Sequence, residues 1–313
     1  MMIFILLLPI IFFFAAFLVN AAMFRPEKQP EANIDGRRVT FPSGRNRLAG
    51  YLWNEAGMQG LLVFAHGMGT GVEYYLPEIH HFAAQGHKMF AFEYSGYQGN
   101  SGHFYGFPQA VIDLKNALDF VDDGSRPVIL MGHSMGAYAV CAVRQCTDKR
   151  VDGIVAYAPF FSSDEAVIAE ATGNIPKFGK LLCGLILPMQ RILFGRNCNP
   201  TAVAGLSRAN APTLVLQGSE DVEVTPDGCA LYAHRTELSD FPVTFRLVRE
   251  EESSGHMTVI RKKGDQAINE DTIRQVDAFL DTILTKFAKI ACSNNPIVNR
   301  NRTDGIGKMK SKE

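Results

Sequence analysis

The stretch Val128-Ile-Leu-Met-Gly-His-Ser-Met-Gly136 runs four apolar residues directly into the pattern G-x-S-x-G. A short apolar run closed by glycine reads as a buried strand, and the residues from Met135 to Gln145 have helix-like spacing. A strand that passes into a helix over so few residues needs a sharp, strained turn, and the two glycines let the backbone pack closely around it. Ser134 lies at the apex, with its hydroxyl pushed out at the carboxyl end of the strand. The N-terminus of the helix that follows favours negative charge developing there. Ser134 is therefore the candidate nucleophile.

A serine hydroxyl is a weak nucleophile and needs a base, which itself needs an orienting group. Downstream of Ser134 the histidines are His234 and His256. His234 falls inside a helix-like stretch from Pro226 to Leu238, whereas His256 lies in the loop Ser253-Ser-Gly-His-Met257, after the last strand-like run. Catalytic side chains are concentrated on loops carried by a rigid scaffold, which makes His256 the candidate base. For the acid, Asp221 follows the run Thr213–Gln217 in Gly218-Ser-Glu-Asp-Val222, with Glu220 beside it and Asp164 further upstream as competitors. Asp221 is favoured because it comes one strand–helix unit before the histidine loop. Two backbone N–H groups must also face the reacting carbonyl oxygen. Met135, next after Ser134, offers one, and Met68 in the loop His66-Gly-Met-Gly69 is the candidate for the other.

The rest of the chain repeats one rhythm. Arg38–Phe41 and Leu48–Trp53 read as a hairpin around Ser43-Gly44. Further apolar runs follow at Leu61–Ala65, Lys88–Tyr94, Val128–Met131, Ile154–Tyr157, Thr213–Gln217 and Val243–Val248. Helix-like periodicity separates them at Tyr74–Gln85, Pro108–Val121, Met135–Gln145 and Pro226–Leu238, and Asn269–Phe287 closes the series. Alternation of this kind predicts the α/β class, with a mostly parallel sheet covered by helices on both faces.

The segments HGMG at 66–69, EYSGYQGNSG at 93–102, GHSMG at 132–136, LVLQGSEDVEV at 214–224 and SGHM at 254–257 resemble the α/β-hydrolase superfamily. The nearest groups are serine aminopeptidase-like and monoglyceride-lipase-like hydrolases. The resemblance spans about residues 38–288 and carries Ser134, Asp221 and His256 in the order such enzymes use. Relatives often have aspartate at the end of the fourth strand, where this chain has Glu93. The resemblance implies an α/β-hydrolase fold at residues 25–292, with a short helical lid at about 161–210. It also implies a serine hydrolase that cleaves carboxylic esters or thioesters through an acyl-enzyme, without metal or cofactor. The apolar segment Lys180–Phe194, kinked at Pro188, suits a lipid or acyl ester better than a charged peptide. A serine peptidase on the same fold, or a binding protein on a degenerate scaffold, are the alternatives.

Residues 1–24 carry no charged side chain, and about 20 apolar residues suffice to span a bilayer. They predict a membrane-associated protein held by a single N-terminal transmembrane helix. Arg25, Lys28, Arg37 and Arg38 would keep the catalytic domain cytoplasmic. A signal segment cleaved near Ala21, leading to export, is the rival, but it lacks a charged start. Residues 293–313 read as a disordered polar tail.

A composition of 47% apolar and 20% charged residues over 313 positions describes a globular chain with a large core. The net charge of -1 excludes a nucleic-acid footprint. The six cysteines fit neither zinc spacing nor a dense disulfide framework, so no metal is expected. Gly67-Met-Gly-Thr-Gly71 after a strand superficially suggests a dinucleotide loop, but Val72 breaks the G-x-G-x-x-G register.

Overall fold

In the computed structural model, which describes residues 2–26, 33–262 and 267–293, the apolar runs assemble into one eight-stranded sheet. The sequence hairpin is β1 (Arg37–Ser43) and β2 (Asn46–Trp53), paired antiparallel with Phe41 opposite Leu48. The others are β3 (Leu61–Ala65), β4 (Lys88–Phe92), β5 (Val128–His133), β6 (Gly153–Tyr157), β7 (Thr213–Gly218) and β8 (Val243–Val248). Their spatial order is β1-β2-β4-β3-β5-β6-β7-β8, parallel from β4 through β8.

The central strands read as unbroken apolar runs because both faces are covered. Along β3, Leu61, Val63 and Ala65 enter one core while Leu62 and Phe64 enter the other. β5 divides in the same way, with Val128 and Leu130 on one face and Ile129 and Met131 on the opposite one. A first helix, α1 (Met2–Met23), precedes the sheet, and α2 (Leu76–Ala84) follows a 3-10 turn at Val72–Tyr75. The first core is closed by α3 (Phe107–Val121) and α4 (Met135–Ala142). Between β6 and β7 lie α5 (Ser163–Asn174), α6 (Gly179–Phe194) and α7 (Ala202–Ala209). The second core is closed by Ile79 and Phe82 of α2 and by Val276 and Leu280 of α8 (Glu270–Ser293).

Three expectations are corrected. No helix among the described residues is long and apolar enough to cross a membrane, which overturns membrane attachment through residues 1–24. The C-terminal half of α1 is instead packed onto the domain, with Ala16, Asn20 and Phe24 buried along one face. Asn20 Nδ2 donates to the Tyr105 carbonyl at 2.9 Å, and Asn20 Oδ1 accepts from Gln190 Nε2 of α6 at 2.5 Å. Phe24 meets Phe107 edge to face at 5.2 Å. Cleavage near Ala21 would strip Asn20 and Ala16 from this packing, so export after signal cleavage finds no support either. Second, the helix expected over Pro226–Leu238 is a 3-10 segment confined to Leu231–Leu238. Third, the helix read over Tyr74–Gln85 begins as the 3-10 turn and becomes α-helical only at Leu76, where Pro77 fits the first turn. The polar tail lies, from residue 294 onward, outside the described residues.

A buried ion pair fixes the loop that carries His256. Arg261 Nη2 and Nε donate to the Glu78 carboxylate at 2.6 and 3.0 Å, and Arg261 also donates to the Tyr74 carbonyl. Glu78 is fully buried and Arg261 nearly so. Removing one partner of such a pair strands the other charge in the interior. Glu78→Ala should therefore destabilise the fold by about 3–5 kcal/mol, read as a lower urea midpoint. An unchanged midpoint would show that Arg261 is solvated without Glu78.

Candidate functional site

The site is built around the turn between β5 and α4. Ser134 has φ of 54°, in the left-handed region that a non-glycine residue occupies only under strain. The strain is sustained by contacts that leave no room for another path. A Cβ added at Gly136 would lie 2.0 Å from the Ala65 carbonyl oxygen, and one at Gly132 would lie 2.5 Å from Gly136 backbone. The Ser134 N–H donates to the Tyr157 carbonyl at the end of β6, at 2.8 Å. Ser134 itself is half-buried and faces a cavity of about 80 Å³ that Met68, Met135 and His256 also line.

The structure brings Asp221 and His256 together and leaves the other candidates elsewhere. His256 Nδ1 and Asp221 Oδ2 are 2.8 Å apart, both side chains buried. Because a carboxylate only accepts, Nδ1 carries the proton, and Nε2 is left as the basic nitrogen. Asp221 is held by further donors: Gln217 Nε2 at 3.0 Å on Oδ2, and the N–H groups of Glu223 and Val224 at 3.0 and 2.8 Å on Oδ1. Glu220 points away, its carboxylate accepting from the Ser254 hydroxyl. Asp164 pairs with Arg191, and His234 stacks on Phe161 while contacting Glu237.

Burial alone would lower the pKa of His256. The hydrogen bond and charge of Asp221, with the Glu223 charge 3.6 Å from Nε2, outweigh it and hold the imidazole above its ordinary value. Glu223 was not singled out by sequence, since an exposed loop glutamate carries no pattern.

His133, the variable residue of G-x-S-x-G, is a second residue that sequence reasoning missed. Full burial drives its pKa down to about 3, with the neighbouring His256 charge adding to the effect, so the ring is neutral at any working pH. Its Nε2–H donates to the His256 carbonyl at 3.0 Å, which leaves Nδ1 to accept from the Tyr75 hydroxyl at 2.9 Å. Tyr75, whose phenol burial keeps protonated, in turn accepts from the Gly67 N–H at 3.2 Å. One chain of hydrogen bonds thus links the backbone beside Met68 to the backbone of His256. The signal in the sequence was a polar ring at the end of an otherwise apolar strand-like run, between Gly132 and Ser134.

Glu93 anchors the other side of the Met68 loop. Its Oε1 accepts from the Val72 N–H at 2.8 Å, and its Oε2 lies 3.2 Å from His66 Nε2. The extra methylene relative to aspartate lets one carboxylate touch both ends of residues 66–72. Among the cysteines, Cys229 lines the same cavity, but burial raises its thiol to about 11, so it stays protonated and does not compete with Ser134.

The two residues expected to supply backbone donors, Met135 and Met68, both border the cavity. Met135 opens α4, so its N–H belongs to the first turn, which has no intrahelical acceptor. Met68 lines the same cavity.

A family model described as Hydrolase_4, serine aminopeptidase, S33, matches residues 56–197 of the chain. That span includes Ser134 but ends before Asp221 and His256. No curated protein matches. Among solved structures, the chain is similar to the Pyrococcus furiosus esterase Pf2001, at 16% identity and TM-score 0.62, covering 82% of this chain and 96% of that one. It is similar to an alpha-beta hydrolase from Vibrio vulnificus at 18% identity and TM-score 0.58, covering 87% and 93%. Est1E from Butyrivibrio proteoclasticus, solved with ferulic acid bound, aligns at 12% identity and TM-score 0.55 over 80% and 99%.

Two outcomes test this geometry. If His256 Nε2 accepts a proton during turnover, activity should fall on acidification with a midpoint above the ordinary histidine value of about 6.5. Glu223→Gln should then move that midpoint down, because a charge favouring the imidazolium is gone. A midpoint unmoved by the substitution would separate Glu223 from the titration. Tyr75→Phe removes the hydrogen bonds of the hydroxyl to Gly67 and to His133, each about 1 kcal/mol, and should cost roughly ten- to thirtyfold in kcat/KM. A loss of stability without that kinetic loss would mean that the chain only packs.

Proposed function

We propose that this chain, which has the α/β-hydrolase fold, is a serine hydrolase cleaving carboxylic esters or thioesters of small acyl or lipid-like substrates. The observation that carries the reading is the Asp221–His256 hydrogen bond of 2.8 Å, facing the cavity onto which the strained Ser134 turn also opens.

Ser134 Oγ attacks the substrate carbonyl while His256 Nε2 removes its proton. Asp221, hydrogen-bonded to Nδ1–H, fixes the tautomer and stabilises the imidazolium that forms. The carbonyl oxygen becomes an oxyanion, held by the backbone N–H groups of Met68 and Met135. As the tetrahedral species collapses, the bond to the leaving oxygen or sulfur breaks and His256 returns the proton to it. Water, deprotonated by the same imidazole, then releases the acid from Ser134. Helix α5, the first of three inserted between β6 and β7, covers one side of this cavity, since Ala166 and Ala169 line it.

A second reading, peptidase action by the same residues, is favoured by the serine aminopeptidase description of the matching family model. Acyl p-nitrophenyl esters tested beside aminoacyl p-nitroanilides separate the two: turnover of the anilides at rates matching the esters would sink the ester reading.

Ser134→Ala should lower kcat by on the order of a millionfold with the fold intact, the loss measured when a triad nucleophile is removed from subtilisin. A fluorophosphonate probe should label Ser134 in the parent protein. Asp221→Asn should cost about ten-thousandfold, as for the corresponding change in chymotrypsin-like enzymes, while Glu220→Gln costs far less. If Glu220→Gln proves the more damaging, the acid is misassigned by one position.

A further inference from the structure

A second hollow opens beside the catalytic cavity. It holds about 350 Å³ and lies between α1, α5 and α6, lined by Val19, Ala22 and Met23 on one side and Ala171, Leu182 and Ile186 on the other. The two hollows meet at α5. Glu170 lines both, Ala169 lines the one containing Ser134, and Ala171 lines the second. Apart from Glu170, which stands at the shared edge, every side chain in the second hollow is apolar.

The wall contributed by α1 is fixed. Val19, Ala22 and Met23 recur at helical spacing beside the docked face of Ala16, Asn20 and Phe24. Asn20 is tied to Gln190 and to the Tyr105 carbonyl, and Gln190 Nε2 also donates to that carbonyl at 2.6 Å. Small residues keep the hollow open, because alanine stands at 22 and 171 where a larger side chain would fill it.

We propose that this groove is the acyl-chain subsite of the enzyme, so that α1 forms one wall of the substrate site and the preferred substrate carries a long, unbranched acyl chain. The inference rests on the esterase reading of Ser134. A polar ligand would find no hydrogen-bonding partner beyond Glu170, whereas an alkyl chain needs none. The volume lies within the range of ligand pockets, and their lining is typically apolar. An acyl chain leaving the carbon attacked by Ser134 passes Ala166 and Ala169, crosses the stem of Glu170 and enters the groove. Each methylene buried there should raise kcat/KM by about fourfold until the groove is full.

The test uses the full chain and p-nitrophenyl butyrate and laurate. The parent protein should favour laurate by more than about tenfold in kcat/KM. Ala22→Trp and Ala171→Trp, which fill the groove from α1 and α5 separately, should each bring the laurate-to-butyrate ratio close to one. Ile192→Trp, on the exposed face of α6, should keep the parent ratio. Fluorescence of cis-parinaric acid with Ser134→Ala protein reads chain binding without turnover, and adding Ala22→Trp should weaken it by about tenfold. Butyrate hydrolysis with no chain-length preference would overturn the subsite while leaving the esterase reading in place. So would a preference that survives both tryptophans. Parinarate binding sensitive to Ala22→Trp, in a protein that cleaves no ester, would uphold the subsite and sink the esterase reading.

Discussion

The contact between Gly136 and the Ala65 carbonyl is the constraint on which the rest depends. Helix α4 begins so close to the end of β3 that a single added carbon at Gly136 would lie 2.0 Å from that oxygen. The close approach forces the chain to leave β5 through a turn with Ser134 at positive φ. It also sets the first turn of α4, and with it the Met135 N–H, beside the loop that follows β3. The positions of Ser134, the Met135 N–H and the Met68 loop are therefore consequences of one packing contact rather than independent placements. Strain at a non-glycine residue costs on the order of 1–3 kcal/mol, and the two buried cores on either face of the sheet hold it in place.

Around this turn the apolar interior is interrupted by polar groups, many of which hydrogen-bond one another, while His66 Nε2, Glu93 Oε2 and Gln217 Oε1 have no hydrogen-bond partner among the described residues. Asp221 accepts from Gln217, His256 and two backbone N–H groups, so its charge is buried without being stranded. His133 and Tyr75 relay hydrogen bonds between the Gly67 and His256 backbones. Glu93 meets both ends of the loop between them. In a medium of low dielectric each missing partner would be costly, which gives the site a single well-defined arrangement. Rigid support of this kind is what electrostatic stabilisation of an oxyanion requires, since donors fixed in advance need no reorganisation when charge appears.

Helix α1 shows how one polar residue changes the meaning of an apolar segment. It carries no charged side chain, yet it is not long and apolar enough to span a membrane, and Asn20 finds its partners on α6 and on the loop before α3. Burying an amide without partners costs free energy, and here the domain supplies them, which marks the C-terminal half of α1 as part of the domain. The remaining apolar surface of that half borders the groove at Val19, Ala22 and Met23.

Much of this was legible in the sequence. Strand positions followed from apolar runs closed by turn residues, because strands covered on both faces leave no polar alternation to disguise them. Ser134 could be named from two glycines and the elements on either side, since only close backbone packing demands that spacing. His256 and Asp221 became candidates through loop position and order along the chain. What the sequence left open depends on distances in the folded chain. Between Asp221 and Glu220 nothing in composition or spacing discriminates, and only the return of the histidine loop over β7 brings Asp221 to 2.8 Å of His256. The roles of His133, Tyr75 and Glu223 were equally hidden, because hydrogen bonds between residues 58 or 123 positions apart leave no local pattern. The fate of α1 was hidden for the same reason. Hydropathy counts what a helix carries, whereas its place in the molecule depends on whether another part of the chain can satisfy Asn20, and that is a property of the folded structure alone.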